Sequence, residues 1–292
     1  MLQEVTKYQL SNLNKIFIVL FSFIIVFVSY SIDIDKKGET IVEDSLSNAV
    51  KVFAVAKGLN GAISLAQGTE INAPLLTISI GEVLDPINDL VEQFSWIMLA
   101  SITSLGIQKI LLNFVTGDIF TLIVVIAIII LNIWMFVRFS NDIKIRDIFF
   151  RVTIVLIFLR FSIPVMSMLN SFVYEHYVKN DYNIEISKNL IEQSSKDINN
   201  ITNKTITDKE TISPKNESLY DSVKQSFNSV TNNIFNLDYY KTKVKEYQDT
   251  TEKTSDYILN LIIAFSFKTI FFPLIFLFLL YQLLKSVIKI GK

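Results

Sequence analysis

The sequence predicts an all-α, polytopic helical membrane protein with four transmembrane helices and a long extramembrane helical hairpin. Apolar residues make up 51% of the 292 residues and the mean hydropathy is +0.43, which leaves too little polar surface for a soluble domain of this size. A helix needs about 20 apolar residues to cross a bilayer. Four stretches come near or reach that length, at residues 16–31, 119–137, 148–170 and 257–284.

The first apolar stretch is predicted to be an uncleaved signal anchor. Lys7 and Lys15 precede it, as in a signal peptide, but no pattern of small residues for cleavage follows at residues 32–37. Cleavage requires such small residues. Residues 1–31 therefore form an N-terminal tail and an anchoring helix.

Basic residues in the short flanks predict the orientation, since such residues favour the cytoplasmic side. Every arginine lies in or beside one apolar hairpin at residues 119–170, whose polar link spans residues 138–147. With lysines at both chain ends, four spans place the two termini and this link on the cytoplasmic side of the membrane. Residues 32–118 and 171–256 are then extracytoplasmic, and residues 257–292 form a last span with a basic tail.

Residues 32–118 are predicted to form an amphipathic and re-entrant helical region. An acidic start leads into a helix whose end Gly58, Gly61 and Gly68 are expected to mark, and residues 76–80 alternate as a short strand does. Asp85 followed by Pro86 is typical of an N-cap and first helical position. This next helix is expected to reach Gly117.

Within that helix, residues 94–114 are apolar but carry serine, threonine, glutamine and lysine side chains. Such a segment suits a helix packed on other helices, an interfacial helix or a re-entrant element. A fifth span is the alternative, and it would move the N-terminus outside.

Residues 171–256 predict the extramembrane hairpin. Ile191, Ile198 and Ile201 keep near-heptad spacing, and the segment from Val223 to Val244 repeats apolar residues in alternating steps of three and four. That repeat is typical of a coiled-coil seam. Both limbs are expected to extend spanning helices without a break, with the tip near residues 213–216.

Two bases are predicted to lie inside the membrane. At about 1.5 Å per residue, Arg160 lies ~20 Å from Asp147 and Lys268 lies ~18 Å from Asp256, depths at which a charge costs on the order of 3 kcal/mol. They are candidates for an ion pathway, or they reach carbonyls and fix helix packing. The candidate counter-charges are Glu82, Asp85, Asp89 and Glu92, and the candidate hinges are Pro164 and Pro273.

The residue inventory argues against an enzyme and against nucleic-acid binding. The chain has no cysteine and a single histidine, His176, and its formal charge is -1. A zinc motif with two histidines is therefore impossible, and no Gly-x-Ser-x-Gly or P-loop motif occurs. No catalytic residue, metal or cofactor is predicted.

Two segments carry a resemblance to a known family. They are the glycine-rich run at residues 58–70, from Gly58-Leu59-Asn60-Gly61, and the run at residues 81–96 that contains Asp85-Pro86-Ile87-Asn88-Asp89. These residues resemble an uncharacterised family of bacterial inner-membrane proteins. The resemblance implies that membrane and supplies no reaction, ligand or site residue.

Two hypotheses for function follow. The first is an oligomeric ion conduit in which Arg160 and Lys268 set an anion preference. The second is a non-catalytic accessory or scaffold subunit of a membrane complex that docks partners through the external hairpin. The expected partners are the lipid bilayer and either further copies of the chain or another membrane protein.

Overall fold

A computed structural model describes residues 12–29, 32–73, 76–136, 143–212 and 222–289. The predicted fold class is confirmed, because the described chain is helical apart from one small β-hairpin. The elements are α1 Asn12–Ser29, α2 Ile32–Gln67, β1 Glu70–Ala73, β2 Leu76–Ser79, α3 Ile80–Thr116, α4 Asp118–Phe136, α5 Ile143–Val173, α6 Ile184–Ile212, α7 Ser222–Phe265 and α8 Phe272–Lys289. Two π-helical turns, Tyr174–Val178 and Ser266–Phe271, follow α5 and α7.

Four helical segments are long and apolar enough to cross a membrane, so this is a multi-pass membrane protein of the predicted kind. They are Asp33–Gln67, Ile80–Thr116, Ile148–Val178 and Lys241–Gln282. The last two match predicted spans. The first two fall in the region predicted to be extracytoplasmic, whereas the apolar parts of α1 and α4, Val19–Ser29 and Asp118–Trp134, are shorter.

Of the three glycines predicted to mark the end of the first helix of this region, Gly68 directly follows its last residue, whereas Gly58 and Gly61 lie inside the helix. Helix α2 continues through both glycines to Gln67. Glycine costs about 1 kcal/mol against alanine inside a helix, and the neighbouring Leu59 and Ile63 are fully buried, which favours continuing the helix. The sequence prediction therefore missed the apolar second half of α2, which is what makes α2 long enough to span.

The short strand was predicted correctly and the start of the next helix was not. Strand β2 pairs antiparallel with β1, with Glu70 opposite Ser79. Helix α3 begins at Ile80 and contains Pro86. Asp85 is not the N-cap, because it lies inside α3; its carboxylate accepts a hydrogen bond from the Gln67 side chain at 3.0 Å.

The chain divides into two compact units. Unit 1 comprises Met1–Leu46, Ser104–Val173 and Ile270–Lys292, and unit 2 comprises Ser47–Thr103 and Tyr174–Thr269. In unit 1, α4 packs against α1 and α5, and α5 packs against α8. Large apolar side chains are exposed all along α1, α4 and α8, as expected of helices that face lipid.

Unit 2 is built on the pairing of α6 with α7, and β1 also contacts α7. Ile191 and Ile198, two of the predicted interior positions, are fully buried. The Tyr247 hydroxyl and the Thr202 hydroxyl lie 2.8 Å apart in a buried hydrogen bond. On the exposed face of α6, the Lys196 ammonium donates to Glu192 and lowers the pKa of that carboxyl.

The predicted hairpin needs one correction. Its first limb does not extend α5 without a break, because Lys179 to Asn183 form a turn. The Asn183 side chain accepts hydrogen bonds from the amides of Glu185 and Ile186 at 3.1 Å and so caps a new helix, α6. The predicted tip at residues 213–216, and most side chains of the predicted seam after Val223, lie outside the described part of the chain.

Candidate functional site

The most buried charged side chain in the described part of the chain is Arg160. Its side chain is 1% exposed, and it lies about 25 Å along α5 from Ile143 at 1.5 Å per residue. Arginine stays charged even when buried. Arg160 therefore needs hydrogen-bond acceptors and a counter-charge close by.

Asp35, in the first turn of α2, supplies the counter-charge. Nη1 of Arg160 donates to Oδ1 of Asp35 at 2.9 Å, and Nη2 donates to Oδ2 at 2.5 Å. This is the bidentate geometry that makes arginine–carboxylate pairs strong and directional. The aspartate side chain is itself 22% exposed, so the pair sits at the margin of the packed interior.

Two further acceptors complete the arrangement. Nε donates to the Thr121 hydroxyl at 3.2 Å, and Nη2 donates to the Ser29 carbonyl at 2.9 Å. Ser29 is the last residue of α1, and Thr121 lies in the first turn of α4. One side chain on α5 thus ties together the end of α1 and the beginnings of α2 and α4, and we name Arg160, Asp35, Thr121 and Ser29 the arginine clasp.

Helix electrostatics favour each of these contacts. A cation is stabilised beside the C-terminal carbonyls of α1, and a carboxylate is stabilised in the first turn of α2. Four of the five guanidinium N–H groups donate to the clasp. The clasp neutralises the positive charge of Arg160 and uses it to hold helices together.

Pro164, a predicted hinge, lies one turn beyond the clasp. Helix α5 continues through this proline to Val173, and the proline is buried. A Cβ built on Gly38 of α2 would lie 3.3 Å from the Pro164 Cα and 3.3 Å from the Ser167 hydroxyl. Glycine at position 38 therefore lets α2 and α5 approach closely beside the clasp.

Helix α2 also carries a row of exposed charges within unit 1. Glu43 pairs with Lys109 of α3 at 2.6 Å, with side chains 49% and 35% exposed. The exposed charged residues of this part of α2 are Asp33, Lys36, Lys37, Glu39, Glu43 and Asp44. Because charged side chains at this density are costly in hydrocarbon, we expect this face of α2 to meet water.

Lys268, the second candidate base, lies in unit 2 within the π-helical turn Ser266–Phe271. Its Nζ is 4.8 Å from the centre of the Tyr174 ring, a cation–π distance. The next residue, Thr269, donates to the Ser101 hydroxyl at 2.8 Å. Lys268 is half-buried and contacts the other π-helical turn through Tyr174.

The second candidate hinge, Pro273, is the second residue of α8 and follows this turn directly. Proline has no N–H to give to the carbonyl four residues earlier, which here belongs to Thr269. The wider π-helical turn therefore lies where the regular ladder of helical hydrogen bonds is interrupted. π-Helical turns inside longer helices are frequent at functional positions.

The four acids that were candidate counter-charges are not the carboxylate partner of Arg160, which is Asp35. Asp85 bonds to Gln67 in unit 2, and Glu82, Asp89 and Glu92 are exposed on α3. Asp35, which pairs with Arg160, was identified only as part of an acidic helix start. A signal for it was present in the sequence: ~20 Å from the cytoplasmic edge lies past the middle of a core about 30 Å thick, toward the outer side on which the first predicted span ends, and Asp35 follows that span closely.

No metal site is found in the part of the chain that the structure describes, since no group of three or more histidine, cysteine, aspartate or glutamate side chains could hold an ion there. His176 is exposed in the π-helical turn after α5. The clasp offers neither a nucleophile nor a positioned acid–base pair, and its chemistry is ionic and structural.

Comparison with known proteins supplies no further assignment. No protein-family model, no curated protein and no solved structure matches this chain.

Proposed function

We propose that this chain is a non-catalytic accessory or scaffold subunit of a membrane complex, which docks its partner through the α6–α7 hairpin. The single observation behind the proposal is the bidentate pair of Arg160 and Asp35, in a side chain that is 1% exposed. A base so fully used in packing serves to fix the helices of unit 1 to one another. Such a buried, ion-paired base suits a structural role and does not suit the lining of an ion pathway.

The composition of the hairpin suits this role. Among the described side chains of α6, Ile191 and Ile198 are buried. Polar side chains are exposed, and so is Ile186, at 57%. A helix with an apolar inner face and scattered apolar side chains outside can bind a protein partner without becoming insoluble. The hairpin supplies the docking surface, and the clasp helps to hold the helices of unit 1 against one another.

An ion conduit is the second candidate, and the hydrated face of α2 favours it. The exposed charges from Asp33 to Asp44 belong to the same compact unit as the apolar helices α1, α4 and α8. A charged helix among lipid-facing helices can line an aqueous passage. In this case acidic side chains would meet the ion, and cations would be preferred instead of the anions expected from Arg160 alone.

Ion flux separates the two candidates. The purified protein is placed in liposomes under opposing potassium and chloride gradients, and the native chain is compared with Arg160→Gln and Glu39→Gln. A scaffold gives no flux above empty liposomes for any of the three, with lower thermal stability for Arg160→Gln. Potassium-selective flux that Glu39→Gln reduces would establish the conduit and overturn the scaffold proposal.

Docking is tested in living cells with a photo-crosslinking amino acid at Ile186, and with the same group at the exposed position Ile126 of α4 as a control. A discrete adduct with one other protein at Ile186, absent at Ile126, is the expected result. Adducts of equal pattern at both positions would remove the hairpin as the docking surface.

A further inference from the structure

The arginine clasp divides unit 1 into two layers, and the first of them contains α1, α4 and the part of α5 before Arg160. Helices α4 and α5 run antiparallel, because Thr121 accepts a hydrogen bond from Arg160 at 3.2 Å while Trp134 packs edge-on against Phe149 with ring centres 5.4 Å apart. Helix α4 therefore extends along the N-terminal half of α5. Helix α1 ends at the clasp and packs against α4, so it lies in the same layer. We name α1, α4 and residues 143–160 of α5 the first layer.

The second layer lies on the other side of the clasp. Helix α2 begins at the clasp, and a Cβ built on its Gly38 would lie 3.3 Å from the Cα of Pro164, which follows Arg160 along α5. Helix α2 therefore runs beside the C-terminal half of α5. Helix α3 joins this layer through the ion pair of Lys109 with Glu43. We name the parts of α2, α3 and α5 that lie here the second layer, which comprises residues 32–46, 104–116 and 161–173.

The first layer has the surface that hydrocarbon requires. Residues 16–29 of α1 and 119–136 of α4 contain no charged residue, and their large exposed side chains are apolar. In α5, the one charged residue between position 148 and Arg160 is Arg151, which is half-buried. A long arginine side chain can carry its charge toward the lipid headgroups. This layer can therefore be surrounded by acyl chains.

The second layer exposes charge along α2. Six charged side chains from Asp33 to Asp44 are exposed. Apolar side chains of α3 are exposed in this layer too, but Ile110, at 70%, directly follows Lys109, which binds Glu43 at 2.6 Å. Each charge would cost on the order of 3 kcal/mol in hydrocarbon. The character of the exposed surface therefore changes at the clasp.

The helices of the first layer also have matching lengths. Counted from the clasp at about 1.5 Å per residue, α1 extends about 26 Å to Asn12, α5 extends about 26 Å back to Ile143, and α4 extends about 23 Å to Phe136. Helix α8, which packs against α5 and exposes large apolar side chains, has 18 residues. The hydrocarbon core of a bilayer is about 30 Å thick, and it thins locally around slightly shorter helices at modest cost. One slab of lipid can therefore cover all four.

We infer that the lipid bilayer surrounds the first layer and α8, and that the arginine clasp lies at the boundary between hydrocarbon and headgroups. The second layer then lies in water, although the length and composition of α2 and α3 alone would allow them to span. At this boundary the side chain of Asp35, which is 22% exposed, can meet water, and the pair avoids the cost of charge in hydrocarbon. The exposed charges of α2 then need no aqueous passage through the membrane.

Fluorescence quenching tests the position of the boundary, because the native chain has no cysteine and single cysteines can carry a fluorophore. The exposed positions are Ile119→Cys, Ile126→Cys and Ile130→Cys in α4, with Lys37→Cys and Asp44→Cys in α2. The protein is placed in bilayers of lipids brominated near the middle of their acyl chains. Quenching is expected to be strongest at Ile126 and Ile130, weaker at Ile119 and several-fold weaker at both α2 positions. Strongest quenching at Ile119, or quenching at the α2 positions equal to that at Ile126, would overturn the inference.

A second measurement distinguishes bulk water from a narrow passage within the membrane. Open membrane fragments, in which a reagent reaches both surfaces, are treated with a maleimide on a polyethylene glycol chain too bulky to enter such a passage. Lys37→Cys and Asp44→Cys are expected to react several-fold faster than the matched control Ile126→Cys. Reaction at the α2 positions as slow as at Ile126 would refute their position outside the bilayer. The outcome is independent of docking by the α6–α7 hairpin.

Discussion

The guanidinium of Arg160 and the carboxylate of Asp35 form a bidentate ion pair across 125 residues of sequence. Because the same guanidinium also binds the carbonyl that ends α1 and a hydroxyl in the first turn of α4, its contacts join four helices, α1, α2, α4 and α5. A buried charge with one partner removed is far more costly than the intact pair. The clasp is therefore the position at which single substitutions have the largest expected effect.

Asp35→Asn should destabilise the folded protein by about 3–5 kcal/mol, because it leaves Arg160 charged and unneutralised in the interior. Unfolding in detergent by added denaturant, followed by circular dichroism, measures the change. Glu39→Gln is the control, since Glu39 is an exposed acid one turn further along α2. A loss no larger than that of the control would show that Arg160 does not depend on Asp35.

The double variant Asp35→Leu with Arg160→Leu should lose less stability than the two single changes added together. Removing both charges also removes the cost of desolvating them, and buried pairs replaced by apolar residues are often neutral or better. Denaturant unfolding of the native protein, the two single variants and the double variant gives the coupling free energy between positions 35 and 160. Strict additivity of the two single changes would contradict a direct interaction.

The clasp illustrates what the sequence could and could not predict. Arg160 stood out because a charge within an apolar run is costly, and counting residues from Asp147 placed it ~20 Å into the membrane. Its partner was not identified, since the acids around Asp35 were interpreted only as a polar helix start. Hydrophobic length predicted the fold class, but it did not predict the full length of α2. Gly58 and Gly61 indicated a helix end there, and the burial of Leu59 and Ile63, which favours a continuous helix, is visible only in the structure.

Gly38→Ala should destabilise the protein by about 1–3 kcal/mol, the usual cost of forcing extra volume into a packed contact. The new methyl group would lie 3.3 Å from backbone and side-chain atoms of α5. Gly61→Ala is the matched control in the same helix, because nothing lies within 4 Å of its built Cβ. There the change should stabilise by about 0.4–1 kcal/mol, and thermal unfolding of the two variants should shift in opposite directions.

Tyr174 makes two contacts that substitution can separate, one from its ring to Lys268 of the other π-helical turn and one from its hydroxyl to the first residue of α6. Tyr174→Phe keeps the ring beneath the Lys268 ammonium but removes the hydroxyl that accepts a hydrogen bond from the Ile184 amide at 3.3 Å. Tyr174→Leu removes both. Lys268→Gln should therefore lower the free energy of unfolding by the same amount in the native protein and in Tyr174→Phe. In Tyr174→Leu, the same substitution should lower it by about 0.5–2 kcal/mol less. An equal cost in all three backgrounds would show that the ring does not bind the ammonium.

The hydrogen bond between Tyr247 and Thr202 should fix how α7 lies on α6, because both side chains are fully buried and their hydroxyls are 2.8 Å apart. Tyr247→Phe and Thr202→Val should each cost about 1–3 kcal/mol, since each leaves a buried hydroxyl with fewer partners. The double variant should cost less than the sum, because no orphaned hydroxyl remains. Hydrogen exchange of the α6 and α7 amides measures the local effect, and α4 amides serve as the reference. Faster exchange in α4 as well would mean that the pair stabilises the whole protein and does not act on the hairpin alone.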